Sequence, residues 1–158
     1  GGRAIQPHAG SVRWNAYRKA WVMVFVELGG TESFLGEVWY AEAPDATGPW
    51  RRTVKIATHP SYSFYNPVHH AFLDEASGRW IYFEGTFSET FSKAPFAVPR
   101  YDYNQLLYRL DLNDPRLHAA LAELESVGRP SAMLDPDTPP GSELSLSGSG
   151  ELRRETRP

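Results

Sequence analysis

The chain has 158 residues, 41% of them hydrophobic and 22% charged, which suffices for one ordinary domain with a real core. A formal net charge of −3 offers no concentrated basic stripe to a phosphate backbone, so no nucleic-acid partner is expected; no apolar run reaches the roughly eighteen residues of a helical membrane span, so none is expected. The absence of cysteine rules out disulfides, thiolate metal sites and a cysteine nucleophile.

The opening Gly1-Gly2-Arg3 carries neither an initiator Met nor a charged-then-apolar leader and reads as the start of a piece of something longer, with residues 1–10 disordered or an edge segment. Ser11 to Asn15 alternates and ends at the polar turn Ala16-Tyr17-Arg18-Lys19. Ala20 to Glu27, rich in β-branched and aromatic residues, completes an expected β-hairpin. Beyond Gly29-Gly30-Thr31-Glu32 a third strand is expected from Leu35 to Ala43, and the turn from Pro44 to Pro49 leads to a fourth over Arg51 to Ala57. Four antiparallel strands in succession make a meander sheet.

A second copy of the pattern follows: a strand from Val68 to Asp74, a turn at Ala76-Ser77-Gly78, a strand from Arg79 to Gly85 and another from Gln105 to Leu112. Trp21 and Trp80 lie about 59 residues apart, and Trp39-Tyr40 corresponds to Leu107-Tyr108 once the longer loop from Thr86 to Asn104 is allowed for. Radial repetition of such meanders gives a β-propeller, in which each blade has four strands. The second copy lacks a fourth strand, as expected where another segment supplies it. After it, Asp114 as N-cap and Pro115 at the first helical position predict a short helix through Leu117 to Leu124. Residues 126–158, dominated by Pro, Gly, Ser and charge, are expected to be a disordered tail. The fold class expected is therefore all-β, two antiparallel meander blades over residues 11–125 with a short C-terminal helix.

The stretch Tyr65-Asn66-Pro67-Val68-His69-His70-Ala71-Phe72, with Asp74, Gly78 and Trp80-Ile81-Tyr82-Phe83, resembles the arabinanase and β-xylosidase type of five-bladed propeller glycosidase, glycoside hydrolase family 43. Val38-Trp39-Tyr40-Ala41-Glu42-Ala43, ending in Thr47-Gly48-Pro49-Trp50, is similar to the same family's strand and turn. Taken over Val12 to Leu112, the resemblance implies two C-terminal blades of a partial five-bladed propeller. It also implies a sugar site on the propeller axis, carboxylates from several blades, and a divalent cation such as calcium held near a His. His70 matches that position better than His69. The family's base belongs to an early blade that has no counterpart here, so the catalytic residues stay unknown and the chain reads as catalytically incomplete.

From the residues alone, alternation sets His70 on one face with Val68 and Phe72, and His69 on the other with Ala71. One of the two therefore lies along an apolar face, where a histidine bonded to a backbone carbonyl is as good a reading as a metal ligand, and no second ligand at short spacing supports zinc. Glu84, Asn66, Arg100, Asp102, Tyr103 and Asn104 are the candidate substrate-binding residues, because aromatic rings mixed with carboxylates and amides suit stacking on sugar rings while hydroxyls are bonded. Arg100 and Asp102 equally make a loop-holding pair, Tyr62, Phe64 and Tyr65 read mainly as blade-packing residues, and Glu37 and Glu42 as solvated edge charges. No Gly-x-Ser-x-Gly elbow or Walker pattern occurs. The expected function is a carbohydrate-active propeller segment, extracellular or periplasmic, whose partners are carbohydrate and the remaining blades; the alternative is a non-catalytic segment for structural or protein-interaction roles.

Overall fold

The structure, a computed structural model, describes residues 4–50, 52–92, 95, 102–118, 121–122, 144–146 and 152–154. They fall into two units, Gly1–Gly128 and Arg129–Pro158. In the first unit β1 (Pro7–Asn15), β2 (Ala20–Glu27), β3 (Val38–Ala43) and β4 (Arg52–Ala57) form one antiparallel sheet in sequential order. β5 (Ser63–His69), β6 (Trp80–Ser88) and β7 (Asn104–Asp111) form another. The protein is mostly β, as the alternating apolar patterns require.

The first sheet follows expectation, except that β1 begins at Pro7 and β3 only at Val38. The second departs from it in one strand. The segment expected as a strand from Val68 to Asp74 is displaced toward the N-terminus: β5 ends at His69, and Ala71–Leu73 is a single 3₁₀ turn. The reason lies at Pro67. A proline argues against a central strand, but β5 is an edge strand with an irregular register between Tyr65 and Val68, where Asn66 has φ 53°. An edge bulge is a place where proline is tolerated.

Val22, Val24, Val38 and Tyr40 of the first sheet meet Phe64, Ile81 and Phe83 of the second in one core. Leu117 and Leu121, from a helix of which residues 115–118 and 121–122 are described, close it together with Leu112. Each fully buried side chain of this size contributes about 1.5–3 kcal/mol. The helix starts as expected: the Asp114 carboxylate accepts the Arg116 N–H at 2.8 Å, satisfying a donor the first turn leaves without an intrahelical partner.

The repeat is visible in the strand registers. Trp21 faces Ala43 and Tyr40 faces Val24, while Trp80 faces Asp111 and Tyr108 faces Phe83. Laying Trp21 on Trp80 thus places Tyr40 on Tyr108, as the sequence spacing implies. On that match the corresponding faces of the two sheets, Val22 and Val24 against Ile81 and Phe83, look into the same core. Rotation about a hub would instead set the front of one sheet on the back of the next. A shift of one residue exchanges the faces of a strand, so radial stacking requires Trp21 to correspond to Ile81 rather than Trp80.

In the second unit β8 (Leu144–Leu146) and β9 (Leu152–Arg154) pair antiparallel. Most of the tail expected to be disordered over 126–158 lies outside the described residues. Among the described residues no helix is long and apolar enough to cross a membrane.

Candidate functional site

Strand alternation gives the second sheet a core face and an outer face. Ile81, Phe83 and Phe87 point inward, so Trp80, Tyr82, Glu84 and Thr86 point outward. Ladder register places Val68 and Leu107 beside Glu84, Tyr65 and Gln105 beside Thr86, and Arg109 beside Tyr82. His70, just past the end of β5, donates its N–H to the Tyr82 carbonyl at 2.8 Å. Its Nε2 then stands 3.1 Å from Glu84 Oε1, both side chains partly open to solvent. Two residues that sequence reasoning singled out separately therefore form one pair.

Around that pair the outer face is polar and aromatic. Gln105 donates to Thr86 Oγ1 at 2.8 Å, and Tyr82 donates to Glu75 Oε1 at 2.7 Å. A hydrogen bond with Tyr103 is the main cause that raises the Tyr65 phenol above its ordinary pKa. Tyr103 so joins Tyr65, the neighbour of Asn66, and Asn104 follows as the first residue of β7. Asp102 serves the loop instead, where its Oδ1 accepts the Glu89 N–H at 2.8 Å and holds the β6–β7 connection. Arg100, and with it the expected Arg100–Asp102 pair, lies outside the described residues. Tyr62 and Phe64 are buried, Tyr62 stacked on Phe87 with centroids 4.5 Å apart, in keeping with packing roles.

The structure distinguishes the two histidines. His69 is the buried one, 2% exposed, while Val68 and Phe72 stand open to solvent. It bonds neither a backbone carbonyl nor a group of metal ligands; its Nε2 meets Asp74 Oδ1 at 2.9 Å and Oδ2 at 3.1 Å, and its backbone N–H donates to Ser11 Oγ of β1 at 2.7 Å. The strand stops at His69, and the turn at Ala71 brings Asp74 back under the ring. Among the described residues no three His, Asp or Glu side chains converge as a metal site would need. Calcium takes six to eight oxygen ligands, so a His70–Glu84 pair does not fit it.

The carboxylates expected as solvated edge charges are buried. Glu42 accepts Arg18 Nε at 2.6 Å and the Tyr40 hydroxyl at 2.8 Å. Glu37 accepts Lys55 Nζ at 2.5 Å and the Thr31 N–H at 2.9 Å. Burial pushes the Glu37 carboxyl up, but the bonds from Lys55 and Thr31 outweigh it and hold it below the ordinary value. Glu37 also bonds the Glu27 side chain, which accepts Trp39 Nε1 at 3.0 Å. Sequence reading missed this pair, because nothing local announces that Lys55 and Trp39 point at it. A hydrolytic pair stands about 5–9.5 Å apart across a substrate. Glu27 and Glu37 touch each other and have no exposed surface, so they hold the β2–β3 loop rather than cut a glycosidic bond.

Comparison with family models, with curated proteins and with solved structures finds no match.

Proposed function

We propose that this chain is a carbohydrate-binding segment, the C-terminal blades of a five-bladed propeller of the glycoside hydrolase family 43 type, catalytically incomplete by itself. The saccharide lies where a neighbouring blade leaves the outer face of the second sheet open, at His70 and Glu84. The carrying observation is the His70–Glu84 pair at 3.1 Å, partly open to solvent and near Tyr65, Tyr103 and Gln105. Carboxylate and amide groups there take sugar hydroxyls, and ring faces take the C–H faces of the sugar. Polysaccharide as ligand favours an extracellular or periplasmic setting.

The propeller part of the reading makes a claim about the first sheet. Its outer face carries Trp14, half exposed and edge-on to Trp21 at 5.9 Å, which suits burial against a neighbouring blade. That apolar face also supports a second reading, in which the segment serves packing or protein interaction and binds no sugar.

Calorimetric titration with xylan- and arabinan-derived oligosaccharides separates the two. Binding weakened about tenfold or more by Glu84→Gln, the equivalent of one charged hydrogen bond, is the expected result. No binding of either series, or affinity indifferent to Glu84→Gln and Tyr103→Ala alike, overturns the carbohydrate reading in favour of the second.

A further inference from the structure

At the end of the sheets where β2 leads to β3, β4 to β5 and β6 to β7, the three loops enclose an open cleft of about 620 Å³. Small-molecule sites fall in the range of about 300–1,000 Å³. None of the residues singled out from the sequence as substrate-binding lines it. Two large rings do, Phe34 at 53% and Phe91 at 68% exposure, together with the hydroxyl-bearing Thr31, Ser61 and Ser92 and the carboxylate of Glu32.

We propose that this cleft is a second saccharide subsite, which takes one neutral sugar ring of an oligosaccharide whose remainder lies on the outer face of the second sheet. The inference rests on the carbohydrate reading above and extends it to a different place. Three observations carry it. The first is composition: rings that stack on sugar C–H faces stand beside hydroxyls that bond sugar hydroxyls, and the described lining residues include a carboxylate but no Lys or Arg, which disfavours an anionic ligand. The second is backbone conformation. Ser61 and Phe91 both occupy the left-handed region, at φ 62° and 61°, a costly place for a side chain as large as Phe; residues held so concentrate at ligand sites.

The third is rigidity from below. Ser61 donates its N–H to the Glu32 carbonyl at 3.2 Å, tying two of the loops, and Thr31 is fixed by its N–H bond to buried Glu37. Gly30 is required here, since a Cβ on it would run into Glu37 Oε2. The third loop is anchored to β5 through the bond from Ser63 Oγ to the Thr90 carbonyl at 2.5 Å. Ser63 lies two residues before Tyr65, so β5 connects the cleft to the outer face.

The test is chain-length dependence. Xylobiose and xylohexaose, arabinobiose and arabinohexaose are titrated into wild type, Phe34→Ala, Phe91→Ala and Glu84→Gln, with a glucuronic acid oligomer as the charged counter-probe and backbone amide shifts to locate each ligand. Both phenylalanines are exposed, so the variants are expected to melt with wild type. The hexaose is expected to bind at least tenfold tighter than the disaccharide and to shift the amides of Thr31, Ser61 and Ser92, with each Phe→Ala change removing most of that advantage. A Glu84-dependent hexaose that ignores both phenylalanines and leaves those amides unmoved overturns the subsite alone. Glucuronic oligomer bound in the cleft as tightly as the neutral hexaose overturns its assigned chemistry. No binding of any probe overturns the subsite and the carbohydrate reading together.

Discussion

The first sheet buries three carboxylates, Glu27, Glu37 and Glu42, and meets two of them with cations brought from the β1–β2 turn and from β4: Arg18 on Glu42, Lys55 on Glu37. The second sheet sets two of its pairs, His70–Glu84 and Arg79–Asp111, toward solvent and buries only the His69 ring against Asp74. Both sheets are antiparallel meanders in sequential strand order. The difference teaches where capacity for a ligand resides. A buried, mutually satisfied carboxylate is committed to the fold and cannot turn to a sugar, whereas an open pair is already solvated and loses little by exchanging water for a ligand hydroxyl.

The contrast breaks most visibly at its two ion pairs. Glu42→Ala leaves the Arg18 guanidinium and the Tyr40 hydroxyl facing a dry hole, and is expected to cost about 3–5 kcal/mol in urea denaturation. Asp111→Ala removes a geometrically comparable partner, two 2.9 Å bonds from Arg79, but from a position where water replaces it, and is expected to leave the urea midpoint close to that of wild type. Equal costs would mean that the second sheet depends on its surface charges as much as the first does on its buried ones.

Within the second sheet the same contrast runs across a single peptide. Gly85 points inward, and a Cβ there would sit 2.5 Å from the Phe64 ring, which is fully buried and has nowhere to swing. Gly85→Ala is expected to cost about 1–3 kcal/mol by overpacking. Glu84→Ala, one residue earlier and outward, is expected to stay within about 0.5 kcal/mol of wild type. Thermal melts of the two variants side by side sharpen the claim that the inner face of β6 serves the fold and its outer face the ligand.

Of the strands described in the first unit, all but β5 were legible in place, because alternation and β-branched runs are local signals, and so was the helix cap at Asp114-Pro115. β5 was misplaced, because Pro67 reads as a breaker until the strand is known to be an edge with a bulge at Asn66. The buried carboxylates were misread for a related reason. Glu37 and Glu42 look like edge charges in their own strand, and only the return of β4 and the fold of the β1–β2 turn supply Lys55 and Arg18. At the candidate site His70 and Glu84 were each legible as residue types, but their pairing depends on the β5–β6 ladder. Of the cleft, the aromatic-rich loop from Thr86 to Asn104 that carries Phe91 was legible, whereas Phe34 and the meeting of three separate loops had no local signal.

The smallest expected effect concerns the joint between the sheets. His59 Nδ1 lies 2.7 Å from the Gly36 carbonyl, ahead of β3, and Nε2 lies 2.9 Å from the Tyr108 hydroxyl in β7. A carbonyl only accepts, so Nδ1 carries the proton and Nε2 accepts from Tyr108; the ring, stacked on Phe64 at 4.5 Å, is held neutral. Burial pushes its pKa below the ordinary 6.5. The unfolded chain therefore takes up this proton first on acidification, so the stability that His59 contributes is whole above about pH 6.5 and declines as the pH falls from there toward the folded value. The melting temperature is expected to hold between pH 8 and 7 and to drop between 6.5 and 5, above the range where Asp111 and Asp114, both depressed by their arginines, begin to protonate. Glutamine at this position has a donor for Gly36 and an acceptor for Tyr108 but nothing to titrate, so His59→Gln should flatten the slope at some loss of stability at pH 8. A slope unchanged in that variant would move the pH sensitivity to another histidine.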